Sequence, residues 1–294
     1  MDAAILVQEI VSGLALGCVY GLIALGYSFI FNAAGLVNVA HGNFVMYGGY
    51  IYGVTLSNAL HLPLVPSMVV LMISMGLMGI LAERLFYRPF AQASVRITLV
   101  GLQALGILMA NAAIIIWNPY PKGTPGPWGQ EALQLYGASI SYQNVFVIVM
   151  TLCLLAIQQY FFHRTMYGKY LRAVAIDKST AALIGIDTDL AIGLTFAYSC
   201  ILAGVGGMLI APFLSIDPTL ANLGFKGFGA CVVGSFTSTV GAMVGGLIIG
   251  LVQVLAASYI SSKYKESIIY IFITLFLLLR PQGLFGKKSG LGSL

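Results

Sequence analysis

The chain is short of charge. Only 8% of its 294 residues are Asp, Glu, Lys or Arg while 59% are hydrophobic, against roughly a quarter charged in soluble domains. A soluble globular protein is thereby excluded, because it needs charged surface to stay dissolved, and an integral membrane protein is the class left. Acids are scarcest in the apolar runs, with Glu9 near the start of the first and Glu83 at a loop edge. Transporters driven by proton or sodium gradients usually need a mid-membrane carboxylate that changes charge, so that class is disfavoured. The four cysteines, Cys18, Cys153, Cys200 and Cys231, fall in apolar stretches with no CxxC pair, which implies neither a disulfide framework nor a metal cluster. No GxxxxGK[ST], HExxH or GxSxG motif occurs; the chain therefore offers no P-loop of its own and no hydrolytic or zinc centre. The net charge of +5 resides in loops between apolar runs, as the positive-inside rule requires, and does not point to nucleic acid.

What is present is a series of apolar runs. A hydrocarbon core about 30 Å thick takes about 20 helical residues to cross, and the candidates are 5–31, 44–60, 62–82, 97–117, 144–162, 190–213, 241–258 and a shorter 267–279. The first is longer than a signal-peptide core and has no basic residue before it, so it is expected to be a retained span. It carries Gly13, Gly17 and Gly21 at four-residue spacing, and the seventh carries Gly241, Gly245, Gly246 and Gly250. Such glycines line one face of a helix and let another backbone approach. Two polar breaks interrupt the apolar sequence. One runs from Asn32 through Asn38, His41, Gly42 and Asn43; the other, Gly234, Ser235 and Phe236, follows a half helix. Irregular polar backbone at membrane depth survives where protein buries it or water lines it, and these residues are the candidates for a translocation pathway. The first break also fits an ordinary connection at the membrane surface. For His41, a structural hydrogen bond competes with a catalytic role.

The expected fold is an all-α polytopic transmembrane bundle, one domain over 1–294, with about eight spans and broken or re-entrant helices. Arg84, Arg88 and Arg96 place residues 83–96 inside; 118–143, proline-rich with Lys122 as its basic residue, is the external loop; Arg280, Lys287 and Lys288 favour an internal tail. These assignments conflict in parity. Eight crossings leave both ends on one side, whereas three crossings before the Arg-rich loop demand an external start. Residues 215–226 and 258–266 read as polar connections.

Residues 163–189 are polar where almost everything else is apolar, holding Arg164, Lys169, Arg172, Asp177, Lys178, Asp187 and Asp189. Asp177 stands where an N-cap belongs, 178–184 suits a short helix and Gly185 stands at its C′ position. With no internal energy source, this loop offers a docking place for a separate driving subunit; an amphipathic helix lying on lipid fits its composition equally.

The quoted residues resemble the branched-chain amino acid ABC importer permeases, in particular the LivH-like member of the permease pair. The likeness runs through GLALGCVYGLIALGYSFIFNAAGLVNVAHGN (13–43), ERLFYRP (83–89), RAVAIDKSTAALIGIDTD (172–189), GAMVGGLIIGL (241–251) and RPQGLFG (280–286). Asn43 stands where many relatives carry an acid, and Gly234-Ser235-Phe236 where they carry a glycine pair. The resemblance implies a permease of the bacterial inner membrane, not an enzyme, importing branched-chain or related aliphatic amino acids by alternating access. It also implies partners: a homologous second permease, two cytoplasmic ATPases that carry the ATP and magnesium, and an external substrate-binding protein. On this resemblance Arg172, Ala173, Asp177, Ala181, Ala182 and Gly185 form the coupling motif seated in the ATPase, and Asn38, Val39, Ala40, His41 and Gly42 lie in the translocation core. The alternatives are a permease of the same family for urea, amides or organic acids, and a stand-alone secondary transporter or channel.

Overall fold

The computed structural model describes residues 3–129, 131–135 and 138–286; Lys287 and Lys288, used above to place the tail, lie outside them. Among the described residues the chain is an all-α bundle. Its helices are α1 (Ala3–Ala34), α2 (His41–Gly49, continued by π-helical turns Tyr50–Ala59), α3 (Leu64–Ala82), α4 (Val95–Trp117), α5 (Tyr142–Arg164), α6 (Met166–Ile176), α7 (Lys178–Leu183), α8 (Thr188–Ile210), α9 (Leu223–Gly234), α10 (Thr239–Tyr259) and α11 (Lys265–Leu279). One antiparallel hairpin, β1 (Ala132–Leu135) with β2 (Ala138–Ser141), sits in the loop between α4 and α5. Six of these helices, counting α3 with its continuation, are long and apolar enough to cross a membrane. The remaining passages are the composite α2 and the short α9 and α11, of 12 and 15 residues.

Two helices form the centre. In α1 and α8, 83% of the most apolar window is buried, against 28% in α3, α4 and α5, so the latter three turn their apolar side chains to lipid. Helices in lipid gain no hydrophobic energy from touching each other and associate through close packing and interhelical hydrogen bonds. Here the glycine faces supply the packing. A side chain added at Gly17 would meet the Leu247 backbone on α10, and one at Gly246 or Gly250 would strike the backbone of Gly21 or Gly17 on α1; the two faces interlock because neither carries side chains. The glycines of α8 act likewise, Gly204 and Gly207 lying against Gly48 and Val45 of α2. Polar side chains bridge the same helices: Tyr20 donates to Gln253 Oε1 at 2.6 Å and Ser199 to the Gly26 carbonyl at 2.8 Å, each worth about 0.6 kcal/mol in a membrane interior.

The parity conflict disappears in the course of residues 211–234. Ile216 pairs with Lys122 of the external loop, whereas Phe236 accepts hydrogen bonds from Ser28 and Asn32 at the other end of α1. The Gly234 carbonyl binds the Phe285 amide of the tail. The chain therefore returns through a 3-10 turn (Pro218–Asn222) and α9, adding the odd passage that the count of eight lacked. The start of α1, beside Asn144, and residues 280–286, beside Gly234, then lie at opposite ends of the bundle. This corrects the reading of 215–226 as a polar connection throughout: its last residues begin α9, and Lys226 is buried.

Candidate functional site

Two places carry the polar residues singled out from the sequence. The first is the α6–α7 element, which is built from local signals. The Thr165 side chain caps α6 by accepting from the Gly168 amide at 3.0 Å. Asp177 ends α6 through its amide bond to the Ala173 carbonyl and opens α7, its carboxylate accepting from the amides and hydroxyls of Ser179 and Thr180 at 2.6 to 3.2 Å. The Ser179 hydroxyl first, then that of Thr180 and the two amides, hold the Asp177 carboxyl well below the usual carboxylate range. At the other end Gly185 has φ +85°, its amide bonds the Ala182 carbonyl, and the Ile186 amide bonds the Ala181 carbonyl. That pair of bonds is a Schellman cap, which needs the left-handed residue.

The element has an inner and an outer face. Leu171, Val174 and Ala181 are buried with Ile30 and Leu36 near the end of α1 and with Ala191, Ile192 and Phe196 of α8. Arg172, Ala182 and Gly185 are exposed, as are Ile176 and Leu183, each 87% accessible. Arg88 fastens the start of α8, donating to buried Glu83 at 3.1 Å and lying 3.9 Å from Asp189.

The second place is the α1–α2 break. Its depth follows from Gly26, on which the His41 ring lies; Gly26 precedes the end of α1 by about two helical turns, or about 12 Å. The break therefore folds back alongside α1 instead of lying beyond its end. His41 is fully buried, its ring 4.5 Å from that of Tyr27, and its ring nitrogens find no hydrogen-bond partner among the described residues. Asn38, also fully buried, accepts from the Ala40 amide at 3.1 Å and turns the chain into α2. Gly42 and Asn43 lie on the accessible side, in a cleft of about 200 Å³ shared with Gln103 and Gly106 of α4 and with Asn222, Gly224 and Phe225 at the start of α9. Gly42 and Gly224 abut so closely that a side chain at either would strike the other.

The residues grouped from the sequence thus separate. Gly42 and Asn43 share the cleft, while Asn38 and His41 stand behind it as support. Asn32, Gly234, Ser235 and Phe236 gather at the inner end of α1, where Asn32 donates to the Ser28 and Phe236 carbonyls at 2.7 and 3.0 Å. Gln103, Asn222 and Phe225 escaped the sequence reading. Gln103, a polar residue inside an apolar run, was the available signal; Asn222 and Phe225 gave none, because only the return of α9 brings them here. The cleft presents amides, glycine backbone, apolar surface and the Tyr27 ring.

Comparison with known proteins agrees with this architecture. The family described as branched-chain amino acid transport system / permease component matches residues 9–279. The chain is 31% identical to the high-affinity branched-chain amino acid transport system permease protein BraD of Pseudomonas aeruginosa and 29% identical to the corresponding LivH protein of Escherichia coli, in each case over 96% of both chains. Among solved structures, a chain of PsaBC from Streptococcus pneumoniae in complex with Fab superposes with a TM-score of 0.50 at 14% identity, covering 95% of this chain and 91% of that one, a likeness of fold alone.

Proposed function

The chain belongs to the branched-chain amino acid transport system permease family, and from that premise we propose that it is the membrane-spanning permease subunit of an ATP-driven importer for branched-chain or related aliphatic amino acids. The observation that carries the reading is the α6–α7 element, capped at both ends and projecting apolar side chains from the bundle. Two cytoplasmic ATPases, which bring ATP and magnesium, dock on its outer face through Ile176, Ala182 and Leu183, with Arg172 as a polar contact. A ligand shifts a conformational equilibrium only by binding its two states differently, so a docking helix must be stiff enough to transmit that difference. Asp177 and Gly185 supply the stiffness. The buried face, with Ala173 and Ala181, rests on α1 and α8, and α1 leads directly into the break.

The cleft at Gly42 and Asn43 opens beside the exposed side chains Val39, Ile107 and Phe225. A homologous second permease covers this face, and the two chains enclose a pathway lined by Asn43, Gln103 and Asn222. Asn38 and His41 hold the wall, and the Asn32–Phe236 contact closes its inner end. An external binding protein delivers the amino acid, and the host membrane is the bacterial inner membrane.

The test is reconstitution of this chain with its partner permease, ATPases and binding protein in proteoliposomes. Leucine-stimulated ATP hydrolysis with leucine uptake is expected; uptake by this chain alone, dependent on an ion gradient, would overturn the reading.

A further inference from the structure

Buried Lys226 and half-exposed Glu266 join two segments that the sequence places 40 residues apart. The ammonium of Lys226 lies 2.7 Å from a Glu266 carboxylate oxygen, and its side chain is 8% exposed against 46% for that of Glu266. It also sits over the Tyr20 ring, 5.8 Å from the centroid, and Tyr20 stands near the middle of α1. Burying the Lys226 ammonium is costly unless it is paired, and a buried charge with a specific partner beside a cleft is a candidate functional site. Stability gives no reason to keep it, since a buried ion pair replaced by packed apolar side chains is often no loss.

The pair also forms the partition between two clefts. One, of about 360 Å³, has the amides of Asn144 and Gln253 at its polar edge and Leu16, Val19, Ile210 and Val254 as apolar walls. The other, of about 630 Å³, contains Asp217, Thr219 and Tyr270. Both volumes fall in the range of small-molecule sites, about 300–1,000 Å³. Both reach toward the external end of the bundle, the first through Ser12 and Ser258 and the second through Ser215 and Asp217.

We propose that the Lys226–Glu266 pair and the apolar cleft beside it form a recognition site for a zwitterionic aliphatic α-amino acid on the external side of this chain. The inference rests on the transport reading above and goes beyond it. A zwitterion exchanges one ion pair for two, its carboxylate taking Lys226 and its ammonium taking Glu266, with no change in net charge. A simple carboxylate takes Lys226 from Glu266 and leaves it Lys265 on the same cleft wall, a simple amine strands Lys226, and a neutral amide matches neither. Glu266, the more exposed partner, swings aside to admit the ligand, and the aliphatic side chain enters the cleft against Leu16 and Val254.

The test measures binding of L-leucine, 4-methylpentanoate and 3-methylbutylamine to the purified full-length chain in lipid nanodiscs. Leucine is expected to bind at least about ten-fold more tightly than either singly charged analogue, and the K226M/E266L double variant to lose that advantage while still assembling with its partner subunits. E266Q should weaken leucine and tighten 4-methylpentanoate, a selectivity change that a purely structural ion pair does not produce and that remains readable if the double variant fails to fold. No leucine binding by the wild-type chain, equal binding of the three probes, or unchanged leucine affinity in K226M/E266L would each overturn the proposal. Leucine uptake by the assembled complex separates the two readings: uptake without binding here sinks the site alone, whereas absence of uptake sinks the transport reading.

Discussion

The α6–α7 element and the α1–α2 break are both polar interruptions of an apolar chain, and they keep their shapes by opposite means. Around α7 every defining bond is local: Asp177 reaches Ser179 and Thr180, and Gly185 and Ile186 reach back to Ala182 and Ala181. In the break the defining contacts cross the sequence, with His41 on Gly26 and Gly42 on Ala221 and Gly224. The first arrangement makes a stiff projecting unit that survives movement of the bundle. The second makes a segment whose form depends on neighbouring helices staying in place.

Substitutions sharpen that contrast. The largest effect is expected from Gly42→Val, whose side chain collides with the Ala221 carbonyl. Backbone cannot yield as a side chain does, and overpacking of more than about 3 kcal/mol should follow. Size-exclusion profiles of the solubilised protein should show loss of the folded species; a normal profile would mean that the break relaxes locally, as α7 does. Gly185→Val comes next. A β-branched residue at φ +85° costs about 1–2 kcal/mol of backbone strain, but no neighbour lies within 4 Å of the new Cβ. Folding and membrane insertion should persist while ATPase co-purification and uptake fall, and retention of both would show that the coupling surface lies elsewhere.

Asn32→Leu should have a smaller effect, removing the links to Ser28 and Phe236 at a cost of about 1 kcal/mol. Cysteine accessibility near residue 237 should rise if this contact closes the inner end. The smallest effect is that of Asp177→Ala, which should speed exchange of the Ser179 and Thr180 amides about fivefold, with Asp177→Asn restoring most of the protection. The Asp177 carboxyl is held below the usual carboxylate range, so its stabilisation is present above the unfolded value near 4 and fades only as pH falls through the lower folded one. Amide protection here should accordingly be flat from about pH 5 upward.

Legibility in the sequence divided along the same line. Asp177 and Gly185 were readable because caps are determined within a few residues, and the glycine faces of α1 and α10 because helical spacing reveals a shared side. The break was recognisable as a break, but its depth was not, since nothing between Asn32 and Asn43 records that His41 returns to the level of Gly26. Lys226 and Glu266 show the limit most plainly. Each read as a residue of a polar connection, and nothing in either segment records that the two meet.

What the sequence by itself determined is the membrane class, the caps of the α6–α7 element, the polar breaks and the glycine-lined faces, because each depends on composition, short-range hydrogen bonding or helical period. Only the tertiary structure decided which of those residues meet: Gly42 and Asn43 with Gln103 and Asn222, Asn32 with Phe236, Lys226 with Glu266. Those meetings depend on where α9 returns between α1, α2 and α11, and that path is set by close packing of backbones far apart in the chain.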